Sequence, residues 1–292
     1  MRIAFFGRFD PAGAGYNYAQ AINAHTPHEA KAYYNDTFYA GPVNDGIVAD
    51  NADAIRDADV AICQVTDGPR WMTEKEFASL HEAVTIYWID GGPFRSRRAE
   101  MWHLVEDRPR VATNHDVADE YEAAWTPVCV EGCVETTQRV PDGALEFQVA
   151  HPCSNPSVKN SEDLKQVVKH LKSKWSLRTF SGLPHAQWIY QMRRVGVVFD
   201  HMQGYFGVSS TEATAIGVPV MNGLNARGWE VMRDWGVTDM PPWHIVSTQA
   251  QLSMQLNAGF TRWTDDERRG WYEREFSNRI KAERFVAWLE AL

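Results

Sequence analysis

Residues 196–220 read GVVFDHMQGYFGVSSTEATAIGVPV, in which a glycine-containing loop and a helix-forming stretch separate two short apolar runs. The run VVF predicts a buried strand. After it, Gly204 and Gly207 permit backbone conformations that a Cβ atom disfavours, so the chain is expected to turn sharply. The N-cap residue types in SST predict a helix over 211–216 with Glu212 in its first turn. The sequence therefore predicts a strand, a loop, a helix and a second strand in close succession.

The start of this predicted helix is suited to binding an anion. Its N–H groups and the positive end of its dipole would face outward, and such an end attracts phosphate. The carboxylate of Glu212 is less suited to binding the anion itself than to accepting hydrogen bonds from the two hydroxyls of a ribose diol beside it. The alternative is that Glu212 only interacts favourably with the helix dipole, as an isolated glutamate in a first turn commonly does.

The spacing of this segment, D-x-x-x-G-x-x-G-x-x-x-x-E-A-x-A-x-G-x-P-V, resembles the donor-binding signature of the retaining GT-B glycosyltransferases of group 4. The residues that fit it are Asp200, Gly204, Gly207, Glu212, Ala213, Ala215, Gly217, Pro219 and Val220. The resemblance continues in order along nearly the whole chain. It implies an α/β fold with two Rossmann-like αβα domains facing across a cleft, and a C-terminal helix that crosses back to the first domain.

Alternating strand and helix patterns independently predict two αβ domains with parallel sheets. Strands are predicted at 1–7, 29–35, 57–65, 82–90, 110–113, 145–151, 176–182, 195–200, 218–222 and 243–247. Helices are predicted near 49–57, 73–82, 116–124, 161–173 and 185–193, and over most of 264–292. We expect an N-terminal domain over 1–143 that ends in a looser linker, 126–143. A donor domain over 144–265 and a C-terminal helical segment over 266–292 follow.

Three segments of the second domain resemble donor-binding segments of the same family. HPCSNPSVKNS at 151–161 places Lys159 where the family has a lysine that binds the donor diphosphate, although Pro156 replaces the family's arginine. In the loop GYFG, Gly204 replaces a glutamate that contacts the donor sugar. SGLPHAQ at 181–187 resembles the loop that holds the nucleobase. The donor-contacting residues implied here are Lys159, Gly182, Pro184, His185, Gly204, Tyr205, Phe206, Gly207, Val208, Ser209 and Glu212.

Two segments of the first domain resemble the family's phosphate- and acceptor-side loops. In DPAGAGYN, Gly13 and Gly15 are expected to let the main chain approach the donor. In IDGGPFR, Asp90 replaces the family's histidine and Arg95 is retained. Asp90 is a candidate base for the acceptor hydroxyl, but a helix cap or a contact to a sugar hydroxyl explains it equally well. Asp10 is a second candidate base.

The activity implied by the resemblance is transfer of a sugar from a nucleotide-diphosphate sugar to an acceptor hydroxyl. It would proceed with retention and without a metal or a further cofactor. Lys159 and the helix start would neutralise the departing diphosphate, and Glu212 would hold the ribose; with Asp90 they form the expected catalytic set. Alternatives are a sugar-nucleotide-binding protein without catalysis, and an epimerase or hydrolase of the same plan.

A DNA acceptor is a further alternative, as in viral enzymes that glucosylate hydroxymethylated bases. It rests on a cluster of arginines that could meet phosphates, namely Arg95, Arg97, Arg98, Arg108 and Arg110. A salt-dependent affinity for duplex DNA would support this alternative. The remaining sequence identifies neither the acceptor nor the oligomeric state.

Composition and net charge indicate the class of protein and the partners that they disfavour. The 292 residues are 44% hydrophobic and 23% charged, which is typical of a globular protein with ordinary cores, and the net charge of −9 disfavours unspecific binding to nucleic acid or anionic membrane. No apolar run approaches 18 residues, so we expect a cytoplasmic protein without a membrane segment. The four cysteines are expected to be reduced thiols. A zinc site from Cys129, Cys133, His151 and Cys153 is disfavoured because it lacks the usual two-residue spacing.

Overall fold

The computed structural model describes residues 1–10, 13–36, 46, 48–65, 80–89, 94, 101–102, 105–140, 145–153, 159–171 and 175–292. The chain divides into two compact units. The first consists of Met1–Cys129 together with Asn278–Leu292, and the second of Val130–Ser277.

The first unit is built on a six-stranded sheet of order β2-β1-β3-β4-β5-β6, in which every pair is parallel. Its strands are β1 (Arg2–Phe9), β2 (Glu29–Asp36), β3 (Val60–Val65), β4 (Ile86–Ile89), β5 (Arg110–Ala112) and β6 (Ala124–Trp125). Its described helices are α1 (Ala14–His25), α2 (Ala52–Arg56) after a 3₁₀ turn (Ala49–Asn51), α3 (His115–Glu120) and, from the chain end, α11 (Asn278–Glu290). Every residue of β3 and β4 is buried, as expected for central strands covered on both faces.

The core on one face of this sheet is formed jointly by the two ends of the chain. Helix α11 packs against α1. The ring of Phe285 on α11 lies 6.2 Å from that of Phe5 on β1 and 4.8 Å from that of Tyr18 on α1. The buried ammonium of Lys281 donates a hydrogen bond to the Val128 carbonyl at 2.9 Å, so α11 also fixes the last residues of the N-terminal segment.

The second unit is built on a five-stranded parallel sheet of order β11-β10-β9-β7-β8. Its strands are β7 (Gln148–Pro152), β8 (Ser176–Phe180), β9 (Val197–Phe199), β10 (Val220–Asn222) and β11 (His244–Ile245). Its helices within the described residues are α4 (Gly132–Thr136), α5 (Ser161–His170), α6 (His185–Met192), α7 (Val208–Ile216), α8 (Ala226–Asp234), α9 (Gln249–Ala258) and α10 (Asp265–Glu275).

Most predicted strands are confirmed, and the central ones are short apolar runs that are buried in the sheet. The short edge strand β6 was not predicted. Residues 130–140 belong to the second unit and include α4, whereas the sequence predicts a looser linker there. Helix α4 packs against α7, which explains how a short helix persists in this segment. The helix predicted at 73–82 falls almost entirely outside the described residues.

Candidate functional site

The loops that follow β9 and β10 meet at the carboxyl edge of the second sheet. Gly204, in the first loop, has a φ of 84°, and a Cβ atom there would lie 2.6 Å from Nδ2 of Asn225. The Asn225 N–H donates to the Gly204 carbonyl at 3.0 Å. Gly204 is therefore required both by its backbone conformation and by the neighbouring loop. In open parallel sheets this edge is where ligands bind.

Asp200, directly after β9, joins the loop, the start of α7 and Lys159. Its Oδ2 accepts the Gly207 N–H at 2.6 Å and the Ser210 hydroxyl at 2.9 Å. Its Oδ1 lies 2.7 Å from Nζ of Lys159. Burial opposes the charged form, but Lys159, His201 and the Gly207 N–H together hold the pKa of Asp200 well below its ordinary value. Asp200 is therefore a buried, ionised carboxylate.

The helix that carries Glu212 begins earlier than predicted, at a position set by the contacts of Asp200 with Gly207 and Ser210. Helix α7 begins at Val208 with Gly207 as its N-cap, so the prediction of a helix over 211–216 is wrong at its first residue. Glu212 consequently lies beyond the first turn, not within it. The reason is that Asp200 caps the helix from the end of β9, which overrides the local N-cap preference of SST. Val208 and Ser209 occupy the first turn, where backbone N–H groups have no intrahelical acceptor.

Lys159 lies beside this helix start. It precedes α5, and only 19% of its side chain is exposed. Asp200 connects Lys159 to the start of this helix, and the role of Lys159 in binding a diphosphate stays a prediction. The ammonium is however already paired with Asp200, which the sequence analysis did not anticipate. A lysine ammonium has three N–H donors, and among the described residues Asp200 is the partner shown for one of them.

Glu212 is buried on α7 and contacts two side chains of α6. Its Oε1 lies 2.5 Å from Nε2 of His185, and its Oε2 accepts the Trp188 indole N–H at 3.0 Å. Because His185 and Trp188 are three residues apart on one helix, they present the same face to Glu212.

His185 in turn lies between two carboxylates. Its Nδ1 is 2.9 Å from Oε1 of Glu131, an ion-pair contact without the alignment of a hydrogen bond. Burial lowers the pKa of His185, but the interactions with Glu131 and Glu212 outweigh it and raise the pKa to about 10. The same histidine lowers the pKa of Glu131. At neutral pH the imidazole is therefore charged and Glu131 is ionised.

The loop before α6 is exposed. Gly182 has a φ of 67°, and Pro184 is the N-cap of α6, as the sequence predicts for a helix start. The Pro184 carbonyl accepts the N–H groups of Gln187 and Trp188 at 2.9 and 3.1 Å. Main-chain groups of this loop are thus at the surface, next to the charged histidine.

The two aromatic residues of the GYFG loop differ in their contacts. The Tyr205 ring lies 4.2 Å from that of His201. Phe206 packs against Trp243 at 4.8 Å and Phe276 at 5.9 Å between ring centroids. Phe206 thus anchors the loop in an aromatic cluster.

In the first unit, Asp10, Gly13 and Gly15 lie together where β1 leads into α1. Asp10 accepts the N–H groups of Gly15 at 2.9 Å and Tyr16 at 2.8 Å, and therefore caps α1. Burial outweighs these hydrogen bonds and raises the pKa of Asp10 to about 6. Gly13 has a φ of 66°, and a Cβ atom on Gly15 would overlap the Tyr34 hydroxyl.

Several predicted residues fall outside the described part of the chain: Asp90, Arg95, Arg97, Arg98 and Pro156. Arg110, from the proposed arginine cluster, is described. Its guanidinium donates to the carbonyls of Tyr121, Val105 and Arg108 at 2.8, 2.9 and 3.1 Å. Arg110 therefore has a structural role, and the DNA acceptor stays a prediction without support from this residue.

Sequence reasoning missed Glu131 and Trp188. Glu131 falls in the predicted linker, and its partner His185 is distant in sequence, so no local pattern connects them. Within the described ranges, no group of three or more His, Cys, Asp or Glu side chains is placed to hold a metal ion. None of the helices in that part of the chain is both long and apolar enough to span a bilayer.

Three of the solved structures that are similar to this chain illustrate the likeness. Anabaena HepE in complex with UDP-glucose has a TM-score of 0.60 at 13% identity, covering 100% of both chains. A glycosyltransferase from Rickettsia africae has a TM-score of 0.57 at 10% identity, covering 98% of this chain and 97% of that one. A mutant O-GlcNAc transferase from Thermobaculum terrenum has a TM-score of 0.56 at 16% identity, covering 99% of this chain and 66% of that one.

No protein-family model and no curated protein sequence matches the chain. At the identities of the solved structures, the likeness shows the fold alone. The chain has a two-domain, Rossmann-like α/β fold shared with glycosyltransferases, and the prediction of this fold is confirmed at that level.

Proposed function

We propose that this protein is a glycosyltransferase that binds a nucleotide-diphosphate sugar on its second unit and transfers the sugar to an acceptor hydroxyl. The observation that carries the proposal is the arrangement at the carboxyl edge of the second sheet. Asp200 contacts both Lys159 and Gly207, the N-cap of α7, and so connects the lysine to the start of this helix. Glu212 lies farther along the same helix. The fold shared with HepE, which was solved with UDP-glucose, supports the proposal and makes uridine nucleotides the first donors to test.

The proposed role of the helix start and Lys159 is to bind the donor diphosphate. The first-turn N–H groups of α7, at Val208 and Ser209, are suited to phosphate oxygens. Lys159 would donate ammonium N–H groups to the same diphosphate. As the bond to the sugar breaks, negative charge grows on the diphosphate, and these fixed donors would stabilise it. In this proposal the transfer proceeds with retention and needs no metal, as the family resemblance implies.

The proposed role of Glu212 is to bind the ribose. A carboxylate has about four lone-pair positions, and His185 and Trp188 occupy two of them. Two therefore stay available for the two hydroxyls of a ribose diol. On the acceptor side, a pKa of about 6 suits Asp10 to accept a proton near neutral pH. Asp10, Asp90 and Arg95 stay predictions as acceptor-side residues.

A thermal-shift panel of nucleoside diphosphates and their sugars tests the proposal, because a ligand that binds the folded state raises the melting temperature. We expect a uridine or related diphosphate to raise it, and Lys159→Ala to reduce affinity by roughly tenfold or more through loss of a charged hydrogen bond. Lys159→Arg, which keeps the charge, should retain more affinity. Release of free nucleoside diphosphate from the sugar nucleotide in the presence of acceptors then measures transfer.

Lys165→Ala is the matched control. Lys165 lies on α5 with 54% of its side chain exposed and pairs with Glu162 at the surface. It should bind the same ligands as the wild type. If no nucleotide in the panel shifts the melting temperature, the proposed function is wrong.

A sugar-nucleotide-binding protein without catalysis is the second candidate. The Lys159–Asp200 ion pair favours it, because the pair leaves little unbalanced positive charge for a departing diphosphate. Such a protein would show the same thermal shift but release no nucleoside diphosphate. An epimerase or hydrolase would be distinguished by its products.

A further inference from the structure

The carboxylate of Glu212 is the buried end of a chain of charged groups. In this chain Glu131 contacts His185, and His185 contacts Glu212. The side chain of Glu131 is 43% exposed, that of His185 is 23% exposed and that of Glu212 is 6% exposed. The chain therefore runs from a half-exposed carboxylate to a buried one, with the imidazolium between them.

We propose that Glu131 and His185 are positioning residues that orient Glu212 to bind the two hydroxyls of the donor's ribose. This inference rests on the proposed function, since it concerns the same donor site. In this proposal His185 acts by holding Glu212 and does not itself contact the nucleobase. Glu131 acts one step farther away, by holding His185.

The first argument is electrostatic. A buried carboxylate without a partner is costly to keep ionised. The imidazolium of His185 compensates Glu212 directly at 2.5 Å, and Trp188 adds a neutral donor. Without His185, the buried carboxylate of Glu212 would lose its charged partner and the donor that fixes Oε1, so it would be less well placed to bind the ribose.

The second argument is geometric. A glutamate side chain has three rotatable bonds, and donors from His185 and Trp188 fix both oxygens of Glu212 from one face of α6. The ring of His185 must itself be held. Glu131 contacts its other nitrogen, Nδ1, at 2.9 Å, so a second carboxylate supports the ring and its positive charge from the far side. Helix α4, which follows Glu131, packs on α7 and keeps this partner in place.

The consequence is specific to one part of the ligand. If Glu212 accepts hydrogen bonds from both ribose hydroxyls, the wild type should bind UDP more tightly than 2′-deoxy-UDP. The difference should be about tenfold, the contribution of one charge-assisted hydrogen bond. Loss of the positioning pair should reduce this ratio. Affinity for 2′-deoxy-UDP, which depends on the base, the diphosphate and the remaining hydroxyl, should change less.

The test is calorimetric titration of UDP and 2′-deoxy-UDP into the wild type and the variants His185→Ala, His185→Gln and Glu131→Gln. We expect the affinity ratio to fall to within about twofold of unity in His185→Ala, while the other two variants retain intermediate ratios. His185→Gln keeps a donor directed at Glu212 but not the charge. Glu131→Gln, at a half-exposed position, tests the pair even if a change at His185 prevents folding.

His170→Ala is the matched control, since His170 lies exposed at the end of α5. It should keep the wild-type ratio. A ratio that is unchanged in His185→Ala and Glu131→Gln, with both ligands weakened equally, would overturn the positioning role but not the donor site. A wild type that binds UDP without discriminating against the deoxy form would also overturn it. If neither ligand binds and no other nucleotide does, the proposed function fails as well.

Discussion

His185 is a charged residue whose protonation depends on two neighbours. Its partners are Glu131, just before α4, and Glu212 on α7; Cys133 on α4 also faces this group, and its thiol contacts Glu131 at 3.4 Å. Burial and the Glu131 contact raise the pKa of Cys133, so the thiol stays neutral. The positive charge of the cluster is therefore that of His185, balanced against two carboxylates.

This arrangement predicts a dependence of stability on alkaline pH. Because the pKa of His185 is raised from 6.5 to about 10, its contribution to folding is complete below pH 6.5 and declines as the pH rises toward 10. The difference in unfolding free energy between wild type and His185→Ala should therefore shrink over that window, by roughly 1–3 kcal/mol after allowance for partial exposure. Urea denaturation at pH 6.5 and pH 9.5 measures it. A difference that is constant with pH would show that His185 is not held in the charged form.

At the scale of elements, two glycines with positive φ differ in the space available for a Cβ atom. Gly204 and Gly182 both have positive φ, at 84° and 67°. A Cβ atom on Gly182 would meet nothing within 4 Å, whereas one on Gly204 would collide with Asn225 at 2.6 Å. Substituting alanine at each glycine therefore compares the cost of backbone strain alone with the cost of strain plus a clash between the loops after β9 and β10.

Gly182→Ala should therefore cost about 1 kcal/mol of stability, from strain alone. Gly204→Ala should cost about 2–4 kcal/mol, because overpacking adds to the strain. Chemical denaturation measures both. Equal losses would mean that Asn225 moves aside freely and that the two loops do not constrain each other.

The same elements show which features the sequence could predict. The apolar runs located the strands, because a buried parallel strand requires such a run. They did not locate the start of α7, because its cap is Asp200, at the end of the preceding strand, and not a residue next to the helix. The segment that holds Glu131 lacks a long apolar pattern, so it was predicted as a linker. Contacts such as Glu131 with His185 depend on the packing of α4 on α7, which no local pattern encodes.

At the scale of the whole molecule, the first unit is completed by the end of the chain. On one face of its sheet, Phe285 from the C-terminal helix packs against Phe5, Tyr18 and Trp88 of the N-terminal segment. The helical pattern predicted a helix over most of 264–292, and the family resemblance implied that the end of the chain returns to the first domain, where 278–292 lies. The partners of that helix could not be derived from its own sequence, because its apolar residues are compatible with several surfaces.

Phe285→Ala should therefore lower the unfolding free energy of the first unit by about 3–5 kcal/mol, since it removes a buried ring and leaves a cavity. Urea denaturation followed by far-ultraviolet circular dichroism measures this. The control is Arg279→Ala on the same helix, where 52% of the side chain is exposed and the guanidinium pairs with Glu283 at the surface; it should cost less than about 0.5 kcal/mol. Comparable losses in the two variants would contradict the view that α11 supplies part of this core instead of lying on a finished one.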